Sequence, residues 1–198
     1  MSSPAASTSR SSAQSDPTGA TSSKATPAGS KLTKSGNLRL SQRPVDIFFI
    51  VIFSAFVITC IISDSVEGLG LPQVAHSSNI LVQLNYTYSH ANDPLYQRED
   101  TWLRFISGTS AFVYSWFYVI LIISLVKGWN RIQLFAVIYA TMIISLTAIP
   151  IFGDEFFGPA ADLTPHPVIF LLYNGPYVLI PLILLIRMRK PLPFQRKF

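Results

Sequence analysis

"VITCIISDSVEG", residues 57–68, decides how this chain folds. It is largely apolar through Ile62 and then meets a carboxylate at Asp64, with a second at Glu67. Traced backwards it is the end of "VDIFFIVIFSAFVITCIIS", residues 45–63, long enough to cross a hydrocarbon core of about 30 Å at about 1.5 Å per helical residue. Three more runs of that kind follow, at residues 103–126, 132–152 and 168–186. All four are richer in unbroken apolar length than a barrel strand of about ten alternating residues would be. They predict an all-α integral membrane protein, a bundle of four transmembrane helices.

Composition agrees. Hydrophobic residues make up 49% of the chain and charged residues only 13%, too few charges for a fully water-solvated surface. The formal net charge of +5 does not mark a nucleic-acid binder, because Lys and Arg gather at the two ends and in one short loop, with no basic stripe. Cys60 is the only cysteine, which excludes an intrachain disulfide and a cysteine zinc site. Residues 1–43 are dominated by Ser, Thr, Ala, Pro and Gly and read as a disordered tail. They show neither the amphipathic face of a transit peptide nor the h-region of a cleaved signal. The membrane domain then spans 44–191, and 192–198 form a second, basic tail.

Orientation follows from the cations beside the spans. Lys31, Lys34, Arg39 and Arg43 precede the first run, Lys127 and Arg131 lie between the second and third, and Arg187, Arg189 and Lys190 follow the fourth. These segments, and so both termini, are expected in the cytosol. The other two loops are acidic, with Asp93, Glu99 and Asp100 in one and Asp154, Glu155 and Asp162 in the other. Trp102 and Trp129 bracket the second span as interfacial anchors, and "NYT" makes Asn85 a glycosylation sequon on the expected lumenal side.

Catalytic motifs are missing from the spans: the three histidines lie in loops, and no metal-ligand or nucleophile spacing is visible. No catalytic residue, metal site or cofactor is expected. The interior polar groups are hydroxyls and amides, among them Tyr114, Tyr139, Asn174 and Tyr177, whose ordinary role is interhelical hydrogen bonding. Asn174 and Tyr177 flank Gly175–Pro176 in mid-span, where a prolyl break frees carbonyls and allows either a packing kink or a cavity. Asp46 suits the positive end of the first helix dipole. Asp64 sits at the unfavourable end and is either a stop charge in water or the anchor of a site, whereas Glu67 reads as solvated. Asp93, before Pro94, makes a turn or helix cap.

"NDPLYQREDTWLRF", "AVIYATM" and "YNGPYVLIPLILLIRM" together resemble the transmembrane protein 97 or sigma-2 receptor family, a branch of the EXPERA superfamily that also holds the emopamil-binding sterol isomerase. The resemblance covers about residues 44–191, and the chain reads as a fungal member. It implies a four-helix bundle of the endoplasmic reticulum membrane, with a cavity that takes sterols or amphiphilic amines. Its paired acids fall on Asp64 and Asp93; Tyr114, Tyr139, Asn174 and Tyr177 complete the expected ligand-binding set. The sequence departs from animal relatives at Ser110, where they carry an acid. Isomerase chemistry would need interior His and Glu groups, which the four runs lack.

The expected function is therefore non-enzymatic: binding a sterol or amphiphile and regulating lipid handling, with the bilayer, other membrane proteins or a second copy as further partners. Fungal relatives suggest as an alternative a role at the reticulum surface in targeting mitochondrial precursors. A sterol isomerase comes third.

Overall fold

A computed structural model of the chain describes residues 37–98 and 100–195. The long serine-rich segment through residue 36, and residues 196–198, lie outside the described residues. Among the described residues, after a short 3-10 helix at Leu40–Gln42, seven helical elements follow one another: α1 (Pro44–Gly68), α2 (Ile80–Asn92), the single turn α3 (Pro94–Gln97), α4 (Thr101–Lys127), α5 (Ile132–Phe157), α6 (Pro167–Asn174) and α7 (Pro176–Met188). Helices α1, α4 and α5 are each long and apolar enough to span a membrane; α6 and α7 make a fourth span only as a pair bent by 41°. That bend falls where Pro176 and then Pro181 lack the N–H that would bond the carbonyl four residues back.

The sequence boundaries change in three places. Helix α1 runs past Asp64 to Gly68, so Asp64 lies inside a helix and does not close it. Helix α5 continues through "FGDEFF" to Phe157 and carries Glu155 with it. Helix α2, unassigned in the loop between the first two runs, begins on Asn79, whose side chain accepts from the Leu81 amide at 2.9 Å.

Each long helix also contains one π-helical stretch: Cys60–Asp64 in α1, Ser110–Tyr114 in α4 and Thr147–Ile151 in α5. Such widened turns recur at functional sites because they re-aim side chains. Here Asp64 and Ser110, one from each of two stretches, meet in a hydrogen bond of 2.5 Å.

Helix α1 lies along α4, and α5 lies along α7. Their shared core is aromatic: Phe53 packs on Tyr118 at 5.4 Å, Tyr118 on Tyr139 at 5.3 Å, and Phe56 stacks on Tyr177 at 4.5 Å. Outward-facing positions such as Val51, Ile58, Phe112, Trp116 and Leu172 are exposed and apolar, the surface a bilayer requires.

At the end of the bundle that holds residues 37–43 and 189–195, where the expected tails 1–43 and 192–198 enter the described residues, a charged cluster packs the chain. Asp46 is fully buried and pairs with Arg43 at 2.8 Å and Arg187 at 2.9 Å. Both guanidinium groups lie over the ring of Phe194, itself fully buried. Asn37 and Gln195 form an antiparallel bridge beside it. Segments 37–43 and 192–195 are thus packed structure, because Asp46 gives two arginines and their neighbours something to close upon.

At the other end, α1 and α4 touch through glycine. A Cβ on Gly68 would lie 2.6 Å from the Gly108 Cα and 2.7 Å from its nitrogen, whereas a Cβ on Gly108 would meet nothing nearer than the Gly68 Cα at 3.7 Å. Gly68→Ala must therefore push two backbones apart, costing about 1–3 kcal/mol, while Gly108→Ala stays within about 0.5 kcal/mol. Thermal unfolding of the detergent-purified variants checks this, and equal losses would disprove the one-sided contact.

Candidate functional site

A cavity of about 310 Å³ opens at the glycine-contact end. Three elements supply its polar wall. The widened turn of α1 presents Ser63 and Asp64; α2 presents Leu84, Asn85 and Tyr88 at helical spacing; the α2–α3 junction presents Asp93 and Tyr96. The bent pair α6–α7 closes the other side with Tyr173, Asn174 and Tyr177. Leu84 and Tyr173 are 49% and 62% exposed, so the cavity's edge between α2 and α6 reaches the outer surface.

Asp93 has no exposed surface, and neither of its carboxylate oxygens makes a hydrogen bond of sound geometry. The cap expected of it is not formed: its side chain leaves the start of α3 unbonded, and only its backbone carbonyl accepts, from the Tyr96 amide at 3.2 Å. Burial pushes the Asp93 carboxyl up to about 6. Glu155, from the extension of α5, and Asn174 lie close enough to offset part of that shift. Glu155 is itself 1% exposed. Two buried carboxyls so close favour a shared proton over two charges.

Asp64 is nearly buried and accepts from Ser110. Burial, and then the charges of Asp64 and Asp93, raise the Tyr96 phenol well above its ordinary range, which places that phenol under the influence of both acids. Burial followed by Asp93 does the same to Tyr88, whose hydroxyl accepts from Asn174 at 3.0 Å. Among the described residues, no Lys, Arg or His lines the cavity. Its ionisable groups are acids and phenols, so it suits a cation, which would draw Asp93 into its ionised form, or a donor that can share a carboxylate.

Of the residues singled out in the sequence, Asp64, Asp93, Asn174 and Tyr177 line this one cavity. Tyr114 and Tyr139 do not. Tyr139 donates to the Tyr118 hydroxyl at 3.1 Å, and Tyr114 packs edge-on against it at 5.4 Å, so both belong to the aromatic core. Asn85 of the sequon also lines the cavity: its side chain is 3% exposed and accepts from Ser63 at 2.7 Å. Glu67, read as solvated, is 1% exposed. Asn85, Tyr88 and Tyr96 were missed, although the Asn79 cap followed by apolar residues at 80, 81, 82 and 84 is a helix signal. Glu155 was missed because Gly153 and Asp154 look like the start of a loop.

A protein-family model described as EBP: EXPERA (EXPanded EBP superfamily) matches residues 80–188, just over half of the chain. The chain belongs to the EXPERA superfamily. The EXPERA match takes in α2 through α7, and therefore Asp93, Glu155, Asn174 and Tyr177, but not Asp64 on α1. No curated protein matches the chain closely enough to count as a relative. EXPERA proteins are membrane proteins linked to sterols, and the superfamily includes both a sterol isomerase and members that are not enzymes.

Proposed function

We propose that this protein is a non-enzymatic binder of sterol-like amphiphiles, with a preference for those carrying an amine, and that Asp93 is the anchor. The observation that carries this reading is the fully buried Asp93 carboxyl, whose oxygens make no well-formed hydrogen bond and whose nearest acid is Glu155, in the wall of a cavity with no Lys, Arg or His among the described residues. A buried carboxylate left so is costly unless a ligand completes it. The cavity's volume is at the lower end for small-molecule sites. It suits a polar head held between Asp93, Asp64 and Asn85, with an apolar body leaving past Leu84 and Tyr173 toward lipid.

Family membership and the transmembrane protein 97 resemblance support residence in the endoplasmic reticulum, with the cavity toward the lumen and the basic end toward the cytosol. Mass spectrometry of lipids that co-purify with the protein tests the ligand class: an enriched sterol or amine supports the reading, and bulk phospholipid alone rejects it.

The pH dependence has two opposite signs. A carboxyl whose folded-state pKa is raised favours the protonated folded form, so Asp93's contribution to the stability of the unliganded protein is fully present below its unfolded pKa of about 4 and lost as pH rises through about 6. An ammonium ligand instead needs the ionised form. Binding should be about tenfold weaker at pH 5 than at pH 7.5, and flat with pH in Asp93→Asn. Equilibrium binding of a labelled amphiphilic amine across that range decides it; an unchanged wild-type affinity would count against Asp93.

One observation favours a second reading. The third run, bounded at residue 152, held no acid, but the full α5 brings Glu155 to Asp93, a carboxyl pair able to hold and pass a proton. Conversion of a sterol by double-bond migration in purified protein, lost in Glu155→Gln, would establish an isomerase.

A further inference from the structure

At the opposite end of the bundle from the carboxylates, a groove of about 710 Å³ lies between the end of α4 and the start of α5. Helix α4 stops at Lys127; Gly128, at φ 69°, turns the chain back, and α5 starts at Ile132. The groove has an apolar wall and a polar base. Ile120 and Phe135, 51% and 59% exposed, form its apolar wall, and the buried Asn37 and the exposed Gln195 also line it.

Its rim is basic and unbalanced. Lys127 rests over the Trp129 ring at 4.7 Å, and no ion pair joins Lys127 or Arg131 to a carboxylate among the described residues. Among the described residues, no acidic side chain lines the groove. At its base, Asn37 is 5% exposed and spends its amide N–H on the Gly128 carbonyl at 2.7 Å, but its oxygen Oδ1 is buried without a donor. That orphaned acceptor calls for a hydroxyl.

We propose that this groove binds one anionic phospholipid with a hydroxylated headgroup, of the phosphatidylinositol class. The phosphate lies between Lys127 and Arg131, a headgroup hydroxyl donates to Asn37 Oδ1, and the upper acyl chain follows Ile120 and Phe135. Basic residues beside a span attract any anionic leaflet by charge alone. A walled groove with a buried acceptor instead selects one headgroup and holds it. The site is independent of the carboxylate cavity and of what that cavity binds.

Native mass spectrometry of the full chain, titrated with phosphatidylinositol or phosphatidylcholine of the same acyl chains, tests this. Wild type should retain phosphatidylinositol at least about tenfold more tightly; each cation contributes about fivefold at a membrane surface, so Lys127→Ala with Arg131→Ala should weaken it about 25-fold. Ile120→Trp leaves the charges in place and fills the wall, and it should also release the lipid. Arg189→Ala with Lys190→Ala, which removes equal charge outside the groove, should not. Equal retention of the two lipids, an unaffected Ile120→Trp, or equal losses from the two charge-removing pairs would overturn the proposal. Displacement by millimolar inorganic phosphate would also overturn it, since the groove would then hold a free anion and no lipid.

Discussion

Asp93→Asn should lose about 100-fold in affinity for an amphiphilic amine at pH 7.5 while unfolding no more easily than wild type. The substitution keeps shape and removes only the charge. Truncating one member of a buried charge pair costs about 2–5 kcal/mol of binding, and 100-fold sits within that range. Most polar side chains that lose a function also lose a structural bond, which confuses the two effects. Asp93 differs, because neither of its oxygens makes a well-formed hydrogen bond in the unliganded protein and the Tyr96 amide bonds its backbone carbonyl. Removing a desolvated charge should, if anything, raise stability at neutral pH.

Asp64→Asn should cost less, about tenfold, because Ser110 can still donate to the side-chain oxygen. A neutral sterol, held through a hydroxyl, should feel Asp93→Asn by less than about tenfold, since a neutral hydrogen bond contributes about 0.5–1.5 kcal/mol. Comparing radiolabelled amine and sterol on the same variants separates the ligand classes. Unchanged amine binding in the Asp64, Asp93 double variant would remove both residues from the site.

The second large effect is at the other end. Asp46→Asn should destabilise the bundle by about 3–5 kcal/mol, the cost of leaving buried guanidinium groups without their counter-charge. Arg43 is almost wholly buried and Arg187 mostly so, and both donate to this one carboxylate. Arg187 also holds the Pro193 carbonyl at 2.8 Å, so losing Asp46 loosens the fold-back of residues 189–195. Melting in detergent should fall by about 10 °C or more, and limited trypsin digestion should open the bonds after Arg189 and Arg39. A shift of under 2 °C would show that the cluster contributes little.

How much of this could be read in the sequence depended on whether the controlling interaction was local. Span number came from apolar length, and the bend at Pro176 came from a missing N–H; both are properties of neighbouring residues. Asp46 looked like a helix-dipole anion because its local setting is a helix start, whereas Arg187, the partner that buries it, is 141 residues away. Glu67 and Glu155 carry charges that suggest water, and only the crossing of α1 on α4 and the extension of α5 bury them. Asp64 and Asp93 were paired by family resemblance, and the cavity that joins them depends on α2, whose mixed polarity has no span signal. Tyr114 and Tyr139 carry interior hydroxyls, a property that core tyrosines share with site tyrosines.

The three π-helical stretches leave a last consequence. Each admits one residue more than an α-helical turn, so the part of the helix beyond it is rotated by about 100° relative to the part before it. All three lie on the carboxylate half of the bundle. The two halves of each long helix are thus out of phase: one stretch of side chains is set by the aromatic core, the next by the cavity. Residues around the cavity can vary without disturbing the packing register that holds the bundle together, which lets one scaffold carry different ligand chemistries at one end.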